Sequence, residues 1–487
     1  MALTGDFRRF NFGYSDAGSE FRLAPKLLQD GYYDLGGIED KVINSHEFLL
    51  LGYKGSGKSA IGARLRLLAK NSPALFSAPP PIIVDKLPLR DFKGVVPESI
   101  ESHIRHRHAW ELHLMVQIMA HIAEDGRAES KSKQEVTAAQ KRLTKAGVIP
   151  QQPSSLKRFK ATKLSTTAGM KNVLGVTAEF ERSTDEGELQ AWLVYLRSVI
   201  RSFKSPRRHY IFIDGLDDLS LSREGRSRLL GGLLQATVSL NEEFLEHEAP
   251  IKIVVSCRTD LYNHLAIPQA GKIRRDYGLE LNWYQNPRDV TVTHLVKLAN
   301  LRARLIDSNC RDLFSEYFDP AISGRRTLDF LLLQTRHTPR DLLQLLKIIQ
   351  KHVNGPGKID ERDVLAGNGD YSQTYFVSEM KDALGTYFDE DQASRIKELL
   401  GTLRQRDFSY QDIQSRVESD ARFKDLDLHR VITALFDGSF IGNVTSGGAT
   451  GGGDPYYRFK HRNPDASLVY EEPMQLHPGL WKTYNLA

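Results

Sequence analysis

The chain contains the stretch Gly52-Tyr53-Lys54-Gly55-Ser56-Gly57-Lys58-Ser59, which fits the pattern G-x-x-x-x-G-K-[ST] at every fixed position. It follows an apolar run at 48–51 and precedes a helix-like run at 60–65, so it lies between a predicted strand and a predicted helix. Glycines in such a turn let backbone N–H groups surround a polyphosphate, while the lysine reaches the terminal phosphates and the hydroxyl can ligate Mg²⁺. We therefore predict a phosphate-binding loop (the P-loop) whose contacts come from Gly52, Lys54, Gly55, Ser56, Gly57, Lys58, Ser59 and Ala60.

A second motif lies further along the chain, in Tyr210-Ile211-Phe212-Ile213-Asp214-Gly215-Leu216-Asp217-Asp218. Four apolar residues before an acid predict a buried strand with Asp214 at its carboxyl end, where it can hold Mg²⁺ directly or through water. Asp217 and Asp218 follow one turn further out, where a carboxylate can orient or deprotonate an attacking water. Each motif alone has a structural alternative, a glycine-rich turn or an ordinary buried strand. Together they predict a nucleotide site.

Length and composition limit the class of protein. A chain of 487 residues suits two to four domains of roughly 100–200 residues each. With 40% hydrophobic and 26% charged residues, and no apolar run near the roughly 18 residues of a membrane span, we expect a soluble cytoplasmic protein without a membrane partner. The only two cysteines, Cys257 and Cys310, lack the spacing of a metal site and are expected to be buried thiols.

The order of patterns predicts an α/β fold, with a P-loop NTPase parallel sheet, a helical lid and a C-terminal winged-helix domain. Short apolar runs at 81–85, 251–255 and 279–283 add strands to the two already described. From about residue 290 the pattern is helical. Near the end, three helix signals precede a hairpin with a glycine-rich tip at 447–453. The predicted parts are an N-terminal wrap at 1–40, the core at 41–288, the lid at 289–370 and the winged helix at 371–487.

Charge is unevenly distributed, and this bears on partners. The predicted insertion at about 97–172 is basic: residues 101–172 hold 13 basic and six acidic residues, a net of +7 against +5 for the whole chain. Such a patch can meet nucleic acid or an acidic protein, but we favour a solvated, partly disordered insertion because charge runs are usually solvated. Residues 401–470 hold nine basic and nine acidic residues, which favours an interaction module over a duplex reader.

The stretch at 214–218 resembles the Walker B motif of STAND-class NTPases, including the NACHT group, and that of AAA+ and origin-recognition ATPases. With the P-loop, it makes residues 40–370 similar to little-characterised bacterial ATPases of this kind. The resemblance implies that the strand at 251–255 lies between the P-loop and Walker B strands. Ser256 or Arg258 would then occupy the sensor 1 position, the alternative for Arg258 being a structural ion pair.

Two further sets of arginines take roles from the same resemblance. Arg274 or Arg275 would be an arginine finger donated to a neighbouring subunit, the alternative being ordinary exposed arginines. Pro339 and Arg340 resemble the sensor 2 motif, in which proline occupies the first helical turn and arginine projects toward the nucleotide.

These features predict a Mg²⁺-dependent ATPase whose nucleotide state drives conformational change or assembly. ATP and Mg²⁺ would be the cofactors, with Lys58 on the phosphates and Ser59 and Asp214 on the metal. No guanine-reading Asn-Lys-x-Asp stretch follows the sensor strand, which favours adenine. Expected partners are further copies of the chain or a protein effector, in bacterial defence or stress response by analogy alone. The alternatives are a DNA-binding initiator-like ATPase and a scaffold that binds ATP without appreciable hydrolysis.

Overall fold

The structure is a computed structural model that describes residues 6–84, 102–145, 185–216, 223–265, 267–285, 289–447 and 453–486. Its α-helices are α1 (Ala17–Leu23), α2 (Pro25–Gln29), α3 (Ile38–Asn44), α4 (Lys58–Asn71), α5 (Ser102–Ile122), α6 (Ser130–Lys145), α7 (Asp185–Arg201), α8 (Arg223–Glu246), α9 (Thr259–Asn263), α10 (Ala270–Tyr277), α11 (His294–Arg304), α12 (Leu313–Tyr317), α13 (Thr327–Leu333), α14 (Pro339–Gln350), α15 (Glu361–Asp370), α16 (Val377–Leu384), α17 (Glu390–Leu403), α18 (Tyr410–Ser419) and α19 (Leu428–Asp437).

Its strands are β1 (Leu49–Gly52), β2 (Phe76–Ser77), β3 (Ile82–Ile83), β4 (Arg208–Asp214), β5 (Ile251–Arg258), β6 (Gly278–Glu280), β7 (Ala321–Ile322), β8 (Arg325–Arg326), β9 (Asp407–Phe408), β10 (Ile441–Gly447), β11 (Gly453–Arg458) and β12 (Met474–Leu476). Short 3₁₀ helices cover Phe7–Arg9, Leu35–Gly37, Val290–Val292 and Pro478–Leu480, and a π-helical turn covers Tyr371–Phe376.

The chain forms two compact units. The sheet unit comprises Gly37–Leu51 and Ile61–Glu280. The lid unit comprises Met1–Gly36, Gly52–Ala60 and Leu281–Ala487.

The sheet unit is built on strands in the order β2-β4-β5-β1-β6, with β3 also paired to β4. The pairs β2–β4, β3–β4, β4–β5 and β1–β6 are parallel. In β1, residues 49–51 are completely buried, as expected for a strand covered on both faces. The predicted α/β class is confirmed. As predicted, β5 lies between β1 and β4. Strand β6 shares only residues 279 and 280 with the strand predicted at 279–283.

The first half of the predicted basic insertion is part of the core. In α5 the side chains of Trp110, Leu114 and Met115 are completely buried, and the Trp110 indole donates to the Leu229 carbonyl at 2.9 Å. In α6 the buried residues Val136, Ala139 and Leu143 recur every three or four positions. The expectation of a solvated, partly disordered insertion is therefore wrong for 102–145. The net charge of this region says nothing about the apolar residues that recur along one face of its helices. Residues 97–101 and 146–172 of that prediction lie outside the described residues.

In the lid unit, the N-terminal segment packs on the helices that follow residue 290. The Phe7 ring meets the Phe318 ring at 5.4 Å between centroids. The Arg302 guanidinium pairs with the Glu20 carboxylate through contacts of 2.8 and 3.0 Å, and both side chains are buried. These contacts make the segment a wrap around α11 and its neighbours.

The C-terminal part has three helices, α17 to α19, followed by the antiparallel hairpin of β10 and β11. A sheet in the order β11-β10-β12-β9 completes it. Helices followed by a hairpin agree with the predicted order of elements, and the winged-helix assignment stays a prediction. Helices α15 and α16 are joined through the π turn at Tyr371–Phe376, so the helical segment runs across the predicted boundary at 370/371.

Two other expectations have an outcome in the described residues. Cys257 and Cys310 are buried thiols, as predicted. None of the helices in the described part of the chain is both long and apolar enough to cross a bilayer.

Three histidines lie close together in the lid unit. His337 and His461 stack at 5.5 Å between ring centroids, and His461 meets His477 at 5.4 Å. Burial, reinforced by the charge of Arg462, lowers the pKa of His337 to about 3. Burial also lowers the pKa values of His461 and His477 well below the usual range.

Since unfolded histidine binds a proton near pH 6.5 and the buried rings do not, we expect the free energy of unfolding to fall as the pH drops below about 6.5, by about 1.4 kcal/mol per pH unit for each ring. Thermal unfolding followed from pH 7.5 to 4.5 measures this slope. Among the described residues neither ring nitrogen of His461 has a hydrogen-bond partner, so His461→Phe is expected to reduce the slope. The exposed His46→Gln serves as control, and equal slopes in all three proteins would contradict the assignment.

Candidate functional site

The P-loop adopts the turn that its glycines predict. Gly55 and Gly57 have φ angles of 86° and 97°, in the left-handed region that L side chains rarely adopt. The Lys58 ammonium lies inside the turn and donates to the carbonyls of Gly52 at 2.8 Å and Tyr53 at 3.0 Å. Helix α4 begins at Lys58, so its first backbone N–H groups point toward the loop, and the Ser59 side chain is exposed. This arrangement can bind an anion through backbone amides and one cation.

An indole fixes one side of the loop. Trp283 donates its Nε1–H to the Ser56 carbonyl at 2.8 Å. Tyr33 lies 6.1 Å from the Trp283 ring between centroids, and its hydroxyl is 2.8 Å from Nδ1 of His294. Nothing in the local sequence marks Trp283 as a partner of the loop, since 227 positions separate it from Ser56.

The start of α14 lies against the other side of the loop. Thr338 caps the helix by accepting from the Asp341 amide at 3.2 Å, and Pro339 occupies the first turn. The Arg340 amide donates to the Gly55 carbonyl at 3.3 Å. A Cβ on Gly55 would come within 3.0 Å of the Arg340 Cβ. The structure thus brings Arg340, the predicted sensor 2 residue, next to the P-loop.

Behind Arg340 lies a buried cluster of charges. The Asp341 carboxylate is fully buried and accepts from the Arg336 guanidinium at 2.9 Å twice and from the Tyr375 hydroxyl at 2.9 Å. Burial alone would raise the pKa of Asp341, but the charge and hydrogen bonds of Arg336 hold it below its ordinary value. Arg336 also approaches Glu379 of α16 at 3.4 Å.

Lys54, predicted as a nucleotide contact, directs its side chain to α16. Its ammonium lies 3.0 Å from the Asp382 carboxylate and 3.6 Å from that of Glu379. The neighbouring Tyr53 hydroxyl donates to the Lys460 carbonyl at 3.0 Å. Any contact of Lys54 with phosphate in this arrangement would come from its backbone. The acidic partners lie more than 320 positions away, so sequence reasoning missed them.

In the sheet unit, Asp214 ends β4 and Ser256 stands near the end of the adjacent strand β5. The Ser256 hydroxyl donates to the Asp214 carboxylate at 2.6 Å. Because the carboxyl ends of parallel strands share one edge, the sheet brings these two residues together. Of the two residues predicted for the sensor 1 position, Ser256 is the one that contacts Asp214, and both roles stay predictions.

Arg258 makes the structural ion pair that the sequence left open. Its buried guanidinium is 3.0 Å (Nε) and 2.5 Å (Nη2) from the Asp260 carboxylate. Arg274 on α10 pairs with Glu280 at 2.6 Å, and Arg275 on the same helix is exposed. The arginine-finger role of either residue stays a prediction. Asp217 and Asp218, the predicted water-activating pair, lie outside the described residues.

Comparison with known proteins gives limited matches. A family model described as the FunZ-associated C-terminal helical domain matches residues 293–378, a span that includes Arg340 and Asp341. No curated protein matches the chain. Among solved structures, the Orc1 protein of Aeropyrum pernix in complex with DNA is similar at 14% identity and a TM-score of 0.36, over 98% of this chain and 93% of that chain.

Proposed function

We propose that the chain is a Mg²⁺-dependent ATPase of the AAA+ and STAND type that acts as a nucleotide-controlled switch. One observation carries the proposal: a glycine turn with left-handed Gly55 and Gly57 is hydrogen-bonded to the start of an arginine-bearing helix through the Arg340 amide and the Gly55 carbonyl. A structural glycine turn needs no cation on either side. Here Lys58 and Arg340 both adjoin the loop, which supports triphosphate binding.

The P-loop amides and Lys58 would hold the phosphates. Ser59 and Asp214 would hold Mg²⁺, since hydroxyl and carboxylate oxygens are donors that this ion accepts, and Ser59 is exposed while Asp214 is only partly buried. When bound, Mg²⁺ supplies neutralising charge at the phosphates. Ser256 orients the Asp214 carboxylate through its hydrogen bond, and Asp217 or Asp218 is proposed to position the attacking water.

Arginines take the remaining proposed roles. Arg340 would contact the terminal phosphate, whereas the buried pair with Asp260 favours a structural role for Arg258. Arg274 or Arg275 would act on the nucleotide of a neighbouring copy, which makes self-association part of the proposal.

A protein partner is favoured over a duplex for the C-terminal part. Three of its arginines are in ion pairs: Arg395 with Asp425, Arg422 with Asp420, and Arg458 with Glu472. A phosphate-binding surface needs uncommitted cations, because neutralising phosphates supplies most of non-specific affinity. We therefore propose a winged-helix module that contacts a protein effector, with bacterial defence or stress response as the setting by analogy.

Lys58→Ala is expected to weaken binding of ATP at least about tenfold, because a charge-assisted hydrogen bond to phosphate is lost. Isothermal titration of the purified chain with ATP and Mg²⁺ measures this. Lys70→Ala removes an equal charge from the exposed last turn of α4 and is expected to bind as the wild type does. Equal affinity in Lys58→Ala and the wild type would reject the P-loop as the site.

Ser256→Ala is expected to raise the Mg²⁺ concentration needed for half-maximal ATP hydrolysis by about threefold to tenfold, because the Asp214 carboxylate loses its orienting hydrogen bond. Asp214→Asn should abolish ATP hydrolysis, so that no dependence on Mg²⁺ remains to be measured. Ser256→Thr keeps the hydroxyl and should restore the wild-type requirement. If Ser256→Ala and wild type respond identically to Mg²⁺, the positioning role is wrong.

Random-sequence duplex is expected to bind weakly and with a shallow salt dependence, because the named arginines are already paired. Fluorescence anisotropy from 50 to 200 mM salt measures the slope. A loss of roughly a thousandfold over that range would indicate six or more phosphate contacts and would favour the initiator-like alternative.

A further inference from the structure

The Glu379 side chain on α16 lies close to cations from the P-loop, from α14 and from the segment that precedes α14. Its Oε1 atom lies 3.6 Å from the Lys54 ammonium and 3.8 Å from the Arg340 guanidinium. Its Oε2 atom lies 3.4 Å from Arg336. One carboxylate on α16 thus faces a cation of the P-loop and the arginine proposed to contact the terminal phosphate.

The three cations differ in how firmly they are held. Arg336 is 6% exposed and is fixed by three hydrogen bonds to Asp341. Arg340 is 27% exposed, and its 3.8 Å separation from Glu379 exceeds hydrogen-bond length. Glu379 therefore holds Arg340 less firmly than it holds Arg336, whereas Lys54 has a closer second partner in Asp382 at 3.0 Å.

When Arg340 leaves Glu379, the buried carboxylate of Glu379 still faces other cations. The Glu379 side chain is only 10% exposed, so losing all of its cations would be costly. After Arg340 turns away, Arg336 and Lys54 still face the carboxylate. Lys54 is in turn held by Asp382, which lies one turn further along α16 at 3.0 Å.

We propose that Glu379 is a latch that competes with the terminal phosphate of the nucleotide for Arg340, so that triphosphate binding releases α16 from Arg340. A phosphate and a carboxylate offer Arg340 the same kind of charge-assisted contact, so a phosphate that draws the guanidinium away from Glu379 replaces one contact with the other. The inference rests on the proposed nucleotide site and adds its regulation: α16 leads directly into the C-terminal part and carries the change there.

Glu379→Gln removes the competing charge while keeping the shape and an acceptor for Arg336. We expect a non-hydrolysable ATP analogue to bind about three- to tenfold more tightly to the full chain carrying this change, because Arg340 no longer has to leave a carboxylate. ADP, which lacks the terminal phosphate, should bind with an affinity that changes less than twofold. Isothermal titration at fixed Mg²⁺ and salt measures both, and thermal unfolding establishes that each variant is folded.

A general loss of negative charge would also tighten anion binding, so two controls separate the explanations. Asp382→Asn removes an equal charge from the same helix, at a residue that pairs with Lys54. We expect it to give less than half of the gain in affinity for the ATP analogue, on a logarithmic scale. In the Arg340→Ala background, Glu379→Gln should give no gain. A gain that persists in that background, or that Asp382→Asn reproduces, overturns the latch.

Hydrogen exchange at 377–384 tests the same latch without altering Glu379. The wild type should show a change in amide protection there when the ATP analogue replaces ADP, and Arg340→Ala should show none. Identical protection in the wild type with both nucleotides overturns the latch. If the wild type binds no nucleotide, the proposed function fails together with the latch. If the wild type binds the ATP analogue and Lys58→Ala does not, an affinity that Glu379→Gln leaves unchanged rejects the latch alone.

Discussion

The buried Asp341 carboxylate is the interaction on which the lid unit depends. Taking a carboxylate out of water costs several kcal/mol unless charges and donors replace the water. Arg336 and Tyr375 provide that replacement, and the Asp341 amide completes the cap with Thr338. One residue thereby fixes the approach to α14, the first turn of that helix and the π turn. The position of Arg340 beside the P-loop follows from it, because Arg340 immediately precedes Asp341.

Three hydrogen bonds join the P-loop to later residues of the lid unit. The Gly55 carbonyl, the Ser56 carbonyl and the Tyr53 hydroxyl all bond to residues beyond 281. The glycine turn of the P-loop is thus held by hydrogen bonds to three separate parts of the downstream chain. A turn with two left-handed glycines would be conformationally free by itself, and these bonds restrict it.

Local patterns account for what the sequence predicted well. The glycine turn at 52–59, the apolar strand that ends in Asp214 and the helix start at Pro339 are each encoded within about ten residues, and the structure contains these three elements. The position of β5 between β1 and β4 followed from a resemblance and is confirmed. Net charge misled at α5 and α6, where the apolar spacing around Trp110 and Val136 mattered more than the surrounding lysines.

Long-range pairing accounts for what the sequence did not predict. Lys54 meets Asp382, and Ser56 meets Trp283, across hundreds of positions. An exposed acid on a helix carries no local sign of such a partner, since most acids of this kind face water. Arg258 is a local case, because its partner Asp260 lies only two positions away, yet the sequence left the pair as one of two alternatives.

The π turn at Tyr371–Phe376 sets the angular phase of everything that follows it. Successive residues of an α-helix are about 100° apart around its axis, and a π turn accommodates an additional residue without breaking the helix. Removing one residue from this turn would rotate α16 by about that angle and move Glu379 away from Arg340. Neither Glu379 nor Arg340 would itself be changed. The contact between α16 and the P-loop therefore depends on the length of the π turn as much as on the charges of Glu379, Asp382 and Lys54.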